Sequence, residues 1–162
     1  MNSVRKITVL SMCLLASLVV NAQGKLHIET LFDSYGKREG SILIELGKDV
    51  LGNHTQITHY KSLIISADPQ TEEIIKEAIQ KDIVGGKILM ELTQNGKEKK
   101  AYYSLKIKED TTQFEYILFT TNDAKTTLVY VKGTFSPDRL QRELGKLKDL
   151  FIQVNNKRIS LQ

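Results

Sequence analysis

Apolar residues recur along this chain with two periods, one near 3.6 and one of 2, and the switches between them mark the elements. Leu26, Ile28, Leu31, Phe32 and Tyr35 fall at helical spacing, and Gly36 and Gly40 end that segment. Ser41 to Leu46 is almost continuously apolar and reads as a short buried strand. Lys48 to Leu51 leaves room for one helical turn before the Gly52-Asn53 break, and Tyr60 to Ser66 is a second strand. Asp68 and Pro69 then supply an N-cap and a first helical position, with Ile75, Ala78, Ile79 and Ile83 on one face. Gly85-Gly86 stops that helix.

Four strands are predicted next. Lys87 to Gln94 and Lys99 to Lys108 flank Asn95-Gly96, the strongest short-range hairpin signal in the chain. Gln113 to Thr121 and Thr126 to Thr134 flank Asn122-Asp123, and Glu109 to Thr112 make the turn between the two pairs. Three short turns in succession imply an antiparallel meander. Ser136-Pro137 caps a last helix with Leu140, Leu144, Leu147 and Phe151 on one side.

The order α-β-β-α-β-β-β-β-α implies an α+β, two-layer sandwich, with a sheet of about five or six strands and the helices on one face. The strand–helix–strand unit from Tyr60 to Gln94 reads as a parallel crossover, which makes the sheet mixed, though mostly antiparallel. Gly40-Ser41-Ile42-Leu43-Ile44-Glu45-Leu46 echoes Gly86-Lys87-Ile88-Leu89-Met90-Glu91-Leu92, each after a helix. The echo is either a degenerate αβ duplication or two buried strands solving one packing problem. Two copies favour the second reading.

The N-terminal stretch follows a different logic. Arg5 and Lys6 precede an apolar run from Ile7 to Val20, and Val20-Asn21-Ala22 places small residues before a cut between Ala22 and Gln23. Residues 1–22 are therefore expected to be a cleaved signal peptide, 23–152 a single domain and 153–162 a polar tail, with the product periplasmic or secreted. Fourteen residues from Ile7 to Val20 fall short of the roughly 20 needed to span a bilayer, so no integral span is expected in the mature chain. Cutting before Cys13, as a lipoprotein would require, leaves an apolar core of six residues, so lipidation is not expected.

Removing the leader changes what composition implies. Lys+Arg falls from 23 to 21 against 19 Asp+Glu, and the net charge from +4 to +2, which weakens any argument for nucleic acid. Cys13 goes with it, which excludes disulfides, thiol nucleophiles and cysteine-ligated zinc from the remaining 140 residues. Such a chain must stabilise itself by its core, and its length allows that.

Motifs for chemistry are sparse. His54 and His59 lie five apart with Asp49 upstream, but without an HExxH helix or a third ligand at diagnostic spacing, so no metal is expected. Gly85-Gly86-Lys87 lacks the remaining positions of a phosphate loop, and a helix C-cap explains both glycines. Glu45 and Glu91, equivalent in the echoed strands, offer a carboxylate pair for hydrolysis of glycan or peptide, against the plainer reading that each points to solvent. No catalytic residue and no cofactor are expected. Asn53-His54-Thr55 fits the N-glycan acceptor pattern.

Leu31-Phe32-Asp33-Ser34-Tyr35-Gly36-Lys37-Arg38-Glu39-Gly40, Tyr60 to Ile65 and Leu128 to Phe135 together form a spaced pattern across nearly the whole mature chain. That pattern resembles a family of exported Bacteroidetes proteins known only as a domain of unknown function. The resemblance implies an envelope location, an α+β fold and no assigned activity. Some relatives look like lipoproteins, with a cysteine ending the leader that this chain lacks. Asp110-Thr111-Thr112 resembles the short acceptor that such bacteria O-glycosylate, which makes Thr111 a candidate modification site.

Surface candidates complete the reading. Lys97, Lys99 and Lys100 surround the Asn95-Gly96 turn, either as contacts for anionic glycan or lipid headgroups or as a solvated tip interrupted by Glu98. Tyr102 and Tyr103 must point to opposite faces, and Phe119 alternates against Phe114, Tyr116 and Leu118. Tyr103 and Phe119 are therefore the candidates for an exposed contact face. The expected function is a non-catalytic envelope binding domain whose partner is an envelope protein or glycan. The alternatives are the carboxylate hydrolase and a carrier of a small hydrophobic ligand in an enclosed cavity.

Overall fold

A computed structural model of the protein describes residues 25–107 and 112–148. Helix α1 (His27–Tyr35) leads into β1 (Ile42–Gly47), the one-turn α2 (Lys48–Leu51), β2 (Ile57–Ser66) and α3 (Pro69–Asp82). Four strands follow: β3 (Lys87–Gln94), β4 (Lys97–Ser104), β5 (Phe114–Thr121) and β6 (Lys125–Gly133). A 3₁₀ turn, Pro137–Arg139, opens into helix α4 over 140–148. The local signals explain these boundaries. Asp68 accepts the N–H and hydroxyl of Thr71, which hold its carboxyl below the usual range, and Pro69 starts α3. Asn95 and Gly96 both adopt positive φ, 52° and 72°, as a two-residue turn matched to strand twist requires.

The six strands form one sheet in the order β1-β2-β6-β5-β4-β3. The α+β sandwich and its meander from β3 to β6 are as the sequence predicts, with two differences. First, every pairing is antiparallel, so the sheet is not mixed. Strands β2 and β3 do run in the same direction, but α3 carries the chain past β6, β5 and β4 before β3 joins the far edge. A crossover that spans three strands creates no parallel hydrogen-bonded neighbour.

Second, helices cover both faces. Ile28, Leu31 and Phe32 of α1 and Ile75, Ala78 and Ile79 of α3 bury Leu63, Leu128, Ile117, Phe119, Ala101 and Tyr103. On the other side Leu51 of α2, Phe135, and Leu140 and Leu147 of α4 bury Ile57, Val131, Tyr116 and Leu118. The cause lies in the central strands. Leu128 and Tyr130 of β6, with Ile117 and Phe119 of β5, face one way, and Val131, Tyr116 and Leu118 face the other. Strands apolar on both sides cannot be satisfied by one layer of helices.

Two side chains fasten these layers. Asp82, the last residue of α3, accepts the backbone N–H of His27 and Ile28 at 2.8 and 2.9 Å, capping α1 where Leu26 supplies no side-chain cap. Glu143 of α4, fully buried, accepts the Thr55 hydroxyl and the Gln56 N–H at 2.9 Å each, with Lys146 at 2.8 Å. Burial pushes its carboxyl up, but Lys146, the Gln56 N–H and the Thr55 hydroxyl outweigh burial and hold its pKa at about 2.

The echoed strands occupy the two edges of the sheet, not its centre. Each follows a helix of the same layer and a glycine at positive φ, Gly40 or Gly85, both at 77°. Units α1-β1-β2 and α3-β3-β4 thus flank the β5–β6 hairpin, related by a half-turn about the sheet normal.

Candidate functional site

Register decides which of the expected site residues meet. The row Leu43–Leu63–Leu128–Phe119–Ala101–Glu91 crosses all six strands beneath the α1–α3 layer. Phe119 is wholly buried there with the Lys76 ammonium 5.4 Å from its ring centre, and Tyr103 is 2 % exposed. The contact face expected at Tyr103 and Phe119 is therefore corrected: both are core residues of the face that α1 and α3 close. Alternation set Phe119 against Phe114, Tyr116 and Leu118 on β5 but carried no information on which helix covers each side. Tyr102, on the opposite face, is half-buried with the Lys100 ammonium 4.9 Å above its ring. Thr111, Ala22 and Gln23 lie outside the described residues.

The carboxylate pair is also corrected. Glu45 and Glu91 share a face but stand on opposite edge strands, five strand spacings apart, on the order of 24 Å. Two carboxylates at that distance cannot flank one glycosidic bond. Glu45 instead belongs to a polar strip. Its oxygens lie 3.2 Å from Lys61 Nζ and 3.5 Å from His59 Nε2, because antiparallel register sets Glu45 opposite Lys61, with His59 two residues away. Lys61 is nearly buried, and its ammonium also sits 5.3 Å from the Phe32 ring centre. Farther along, Tyr130 lies opposite Lys61, and Lys132 approaches Glu115 at 4.0 Å. Burial, and then Glu115, push the Tyr130 phenol well above its ordinary range.

In this strip Glu45 answers Lys61 and His59, and Glu115 answers Lys132 and the Tyr130 phenol. Charges already neutralised by their neighbours pin strands β1, β2, β6 and β5 in register and leave little field for a ligand. His59 is thereby committed to Glu45 and the Tyr130 ring, 5.9 Å between centroids. Among the described residues, no three His, Cys, Asp or Glu side chains are grouped to hold a metal ion.

A groove of about 150 Å³ opens where α1, β1 and α3 approach, lined by Tyr35, Arg38, Ser41, Ile65, Ser66 and Thr71. The Arg38 guanidinium stacks 3.7 Å above the Tyr35 ring. Ligand pockets usually offer roughly 300–1,000 Å³ and enclose most of the ligand, so this shallow groove does not suit a hydrophobic carrier.

Both edges of the sheet expose apolar side chains: Ile42 and Leu43 of β1 are 50 % and 39 % exposed, and the β3 edge goes further. Ile88 and Leu92 are 59 % and 56 % exposed, and Val84 and Ile107 at one end are 74 % and 50 % exposed. Gly85 against Lys106 and Gly86 against Leu105 bring the segments carrying those two together. Lys87, Lys97 and Lys100 surround this edge, whereas Lys99 leans toward Asp123 at 3.9 Å. A continuous apolar run had suggested a buried strand. The pairing order places it instead at the edge, where among the described residues one side of its backbone has no strand beside it, a long-range outcome with no local signal.

A model described as a family of unknown function, DUF6108, matches residues 15–144, and the chain belongs to that family. No curated protein and no solved structure matches.

Proposed function

We propose that this protein is exported to the cell envelope and works there without catalysis, binding an envelope component through the β3 edge. One observation carries the reading. In a sheet whose central strands are sealed on both faces, β3 leaves large apolar side chains in water, with cations around them. Exposed apolar groups of this size, gathered on one edge, are what contact surfaces present. The Arg5-Lys6 n-region, the apolar run to Val20 and Ala22 support the location. Among the described residues no helix is long and apolar enough to cross a membrane, so the leader is the segment to test for the address.

Two measurements test it. Protein recovered from the envelope fraction should begin at Gln23, and a product retaining Met1 in the cytoplasm would overturn the location. A photo-crosslinking residue at position 92, in cells, should form adducts absent when it stands at position 37. Equal labelling at both positions, or none at 92, would overturn the β3 edge as the contact.

A further inference from the structure

We propose that the β3 edge is a peripheral docking face for an anionic lipid surface, with Val84, Ile88, Leu92 and Ile107 meeting the headgroup–acyl boundary and Lys87, Lys97 and Lys100 the headgroups. The inference rests on the β3 contact proposed above and names its partner.

The geometry disfavours the other use of an exposed edge, addition of a strand from a second protein. Pairing of β3 with β4 shifts register twice, between Ile88 and Met90 and between Leu92 and Thr93. Only Met90, Glu91 and Leu92 lie in regular register between those shifts, too few for a stable added strand. Bulges of this kind twist an edge away from pairing while leaving its side chains in water. What remains is recognition by side chains.

Those side chains have the composition of an interfacial element. Leu92 lies directly opposite Lys100 on one face of the hairpin and Ile88 opposite Tyr103 on the other, so the apolar groups flank the edge from both sides, with Lys97 and Lys100 toward its tip. The Lys100 ammonium rests 4.9 Å above the half-buried Tyr102 ring, so a cation and an aromatic face stand together beside Leu92. The acids here are Glu91 midway along β3, Glu98 between the lysines of β4, and Asp123, which already faces Lys99. Apolar side chains alone would suit a neutral surface. The ring of lysines selects an anionic one, at about fivefold in partition for each lysine near it. Edge backbone that no described strand pairs cannot enter hydrocarbon, so contact stops at headgroup depth.

The test uses the exported protein and sedimenting vesicles, either of phosphatidylcholine alone or with a phosphatidylglycerol fraction. Binding is expected to the anionic vesicles, weakening as salt rises past about 0.1 M, where the screening length falls to about 10 Å. Lys97→Glu with Lys100→Glu should cost roughly 25-fold or more in partition, and Leu92→Glu should also weaken it. Lys37→Glu with Lys48→Glu, the same charge change elsewhere, should cost far less. Equal loss from both double variants would mean that net charge alone drives binding, which overturns the proposal. So would equal binding to neutral vesicles, or no sedimentation with anionic ones at low salt. A position-92 crosslink to a protein or glycan, without vesicle binding, would sink the lipid surface and leave the contact at β3 standing. Unchanged far-ultraviolet circular dichroism of each variant confirms that folded protein is being compared.

Discussion

Strands β1 and β3 carry nearly the same residues and end on opposite edges of one sheet, yet only β1 is tied down. From Ile42 to Gly47 the register of β1 with β2 is unbroken, and Glu45 binds Lys61 and His59. Leu43 tucks against Gly36, where a β-carbon would come within 2.7 Å of it. In β3 the register slips twice, and Glu91 reaches Thr93 of its own strand at 3.5 Å. The paired carboxylate, not the apolar run it sits in, distinguishes the two edges. A similar sequence is thus held more firmly at one edge than at the other.

Four measurements sharpen or break that contrast. The largest effect is expected at the shared centre. Phe119→Ala should lower unfolding free energy by about 4 kcal/mol, and hydrogen exchange should then speed up at both edges, since one apolar row joins them. Faster exchange at β3 alone would show that the edges do not depend on one core. Glu143→Gln should cost about 3 kcal/mol by releasing α4 from Thr55 and Gln56 beneath the sheet. Its carboxyl titrates lower in the folded protein, at about 2 against 4.5. The wild type should therefore hold this stability above about pH 5 and lose it progressively between pH 5 and 2, and the variant should lack that acid-sensitive component.

The contrast itself is read by Glu45→Gln and Glu91→Gln. Replacing Glu45 strips the nearly buried Lys61 of its counter-charge and should cost about 1 kcal/mol by urea denaturation. Replacing Glu91 should stay within about 0.5 kcal/mol, and equal losses would erase the difference between the edges. Smallest of all, Leu92→Lys should leave stability within about 0.5 kcal/mol, because the side chain is already largely in water. A larger loss would mean that the β3 edge is part of the core.

Much of this fold was legible in local sequence. Asn95-Gly96 and Asp68-Pro69 set a turn and a helix start whose chemistry is complete within three or four residues, and both appear as predicted. The strand order was not legible, because nothing within Ile42–Gly47 or Lys87–Gln94 reports the three strands that α3 passes over. The same limit applies to the sites. Period-2 alternation separated Tyr102 from Tyr103 but gave no sign that α1 and α3 would close over Tyr103 and Phe119. Glu45 and His59 were each visible singly, and only antiparallel register joins them. Asp82 and Glu143 carry no local signal of their roles. Their partners lie 55 and 87 residues away, at His27 and Gln56, beyond any spacing rule.

The Asp82 cap has a consequence for how the molecule comes together. Helix α1 is nine residues long, too short to persist alone in water, and two of its opening N–H groups depend on a carboxylate 54 and 55 residues downstream. A chain that emerges N-terminus first, from a ribosome or through a translocation pore, therefore cannot complete its first helix until residue 82 has followed. The segment nearest the threading end lacks that cap until the chain has emerged to about its midpoint.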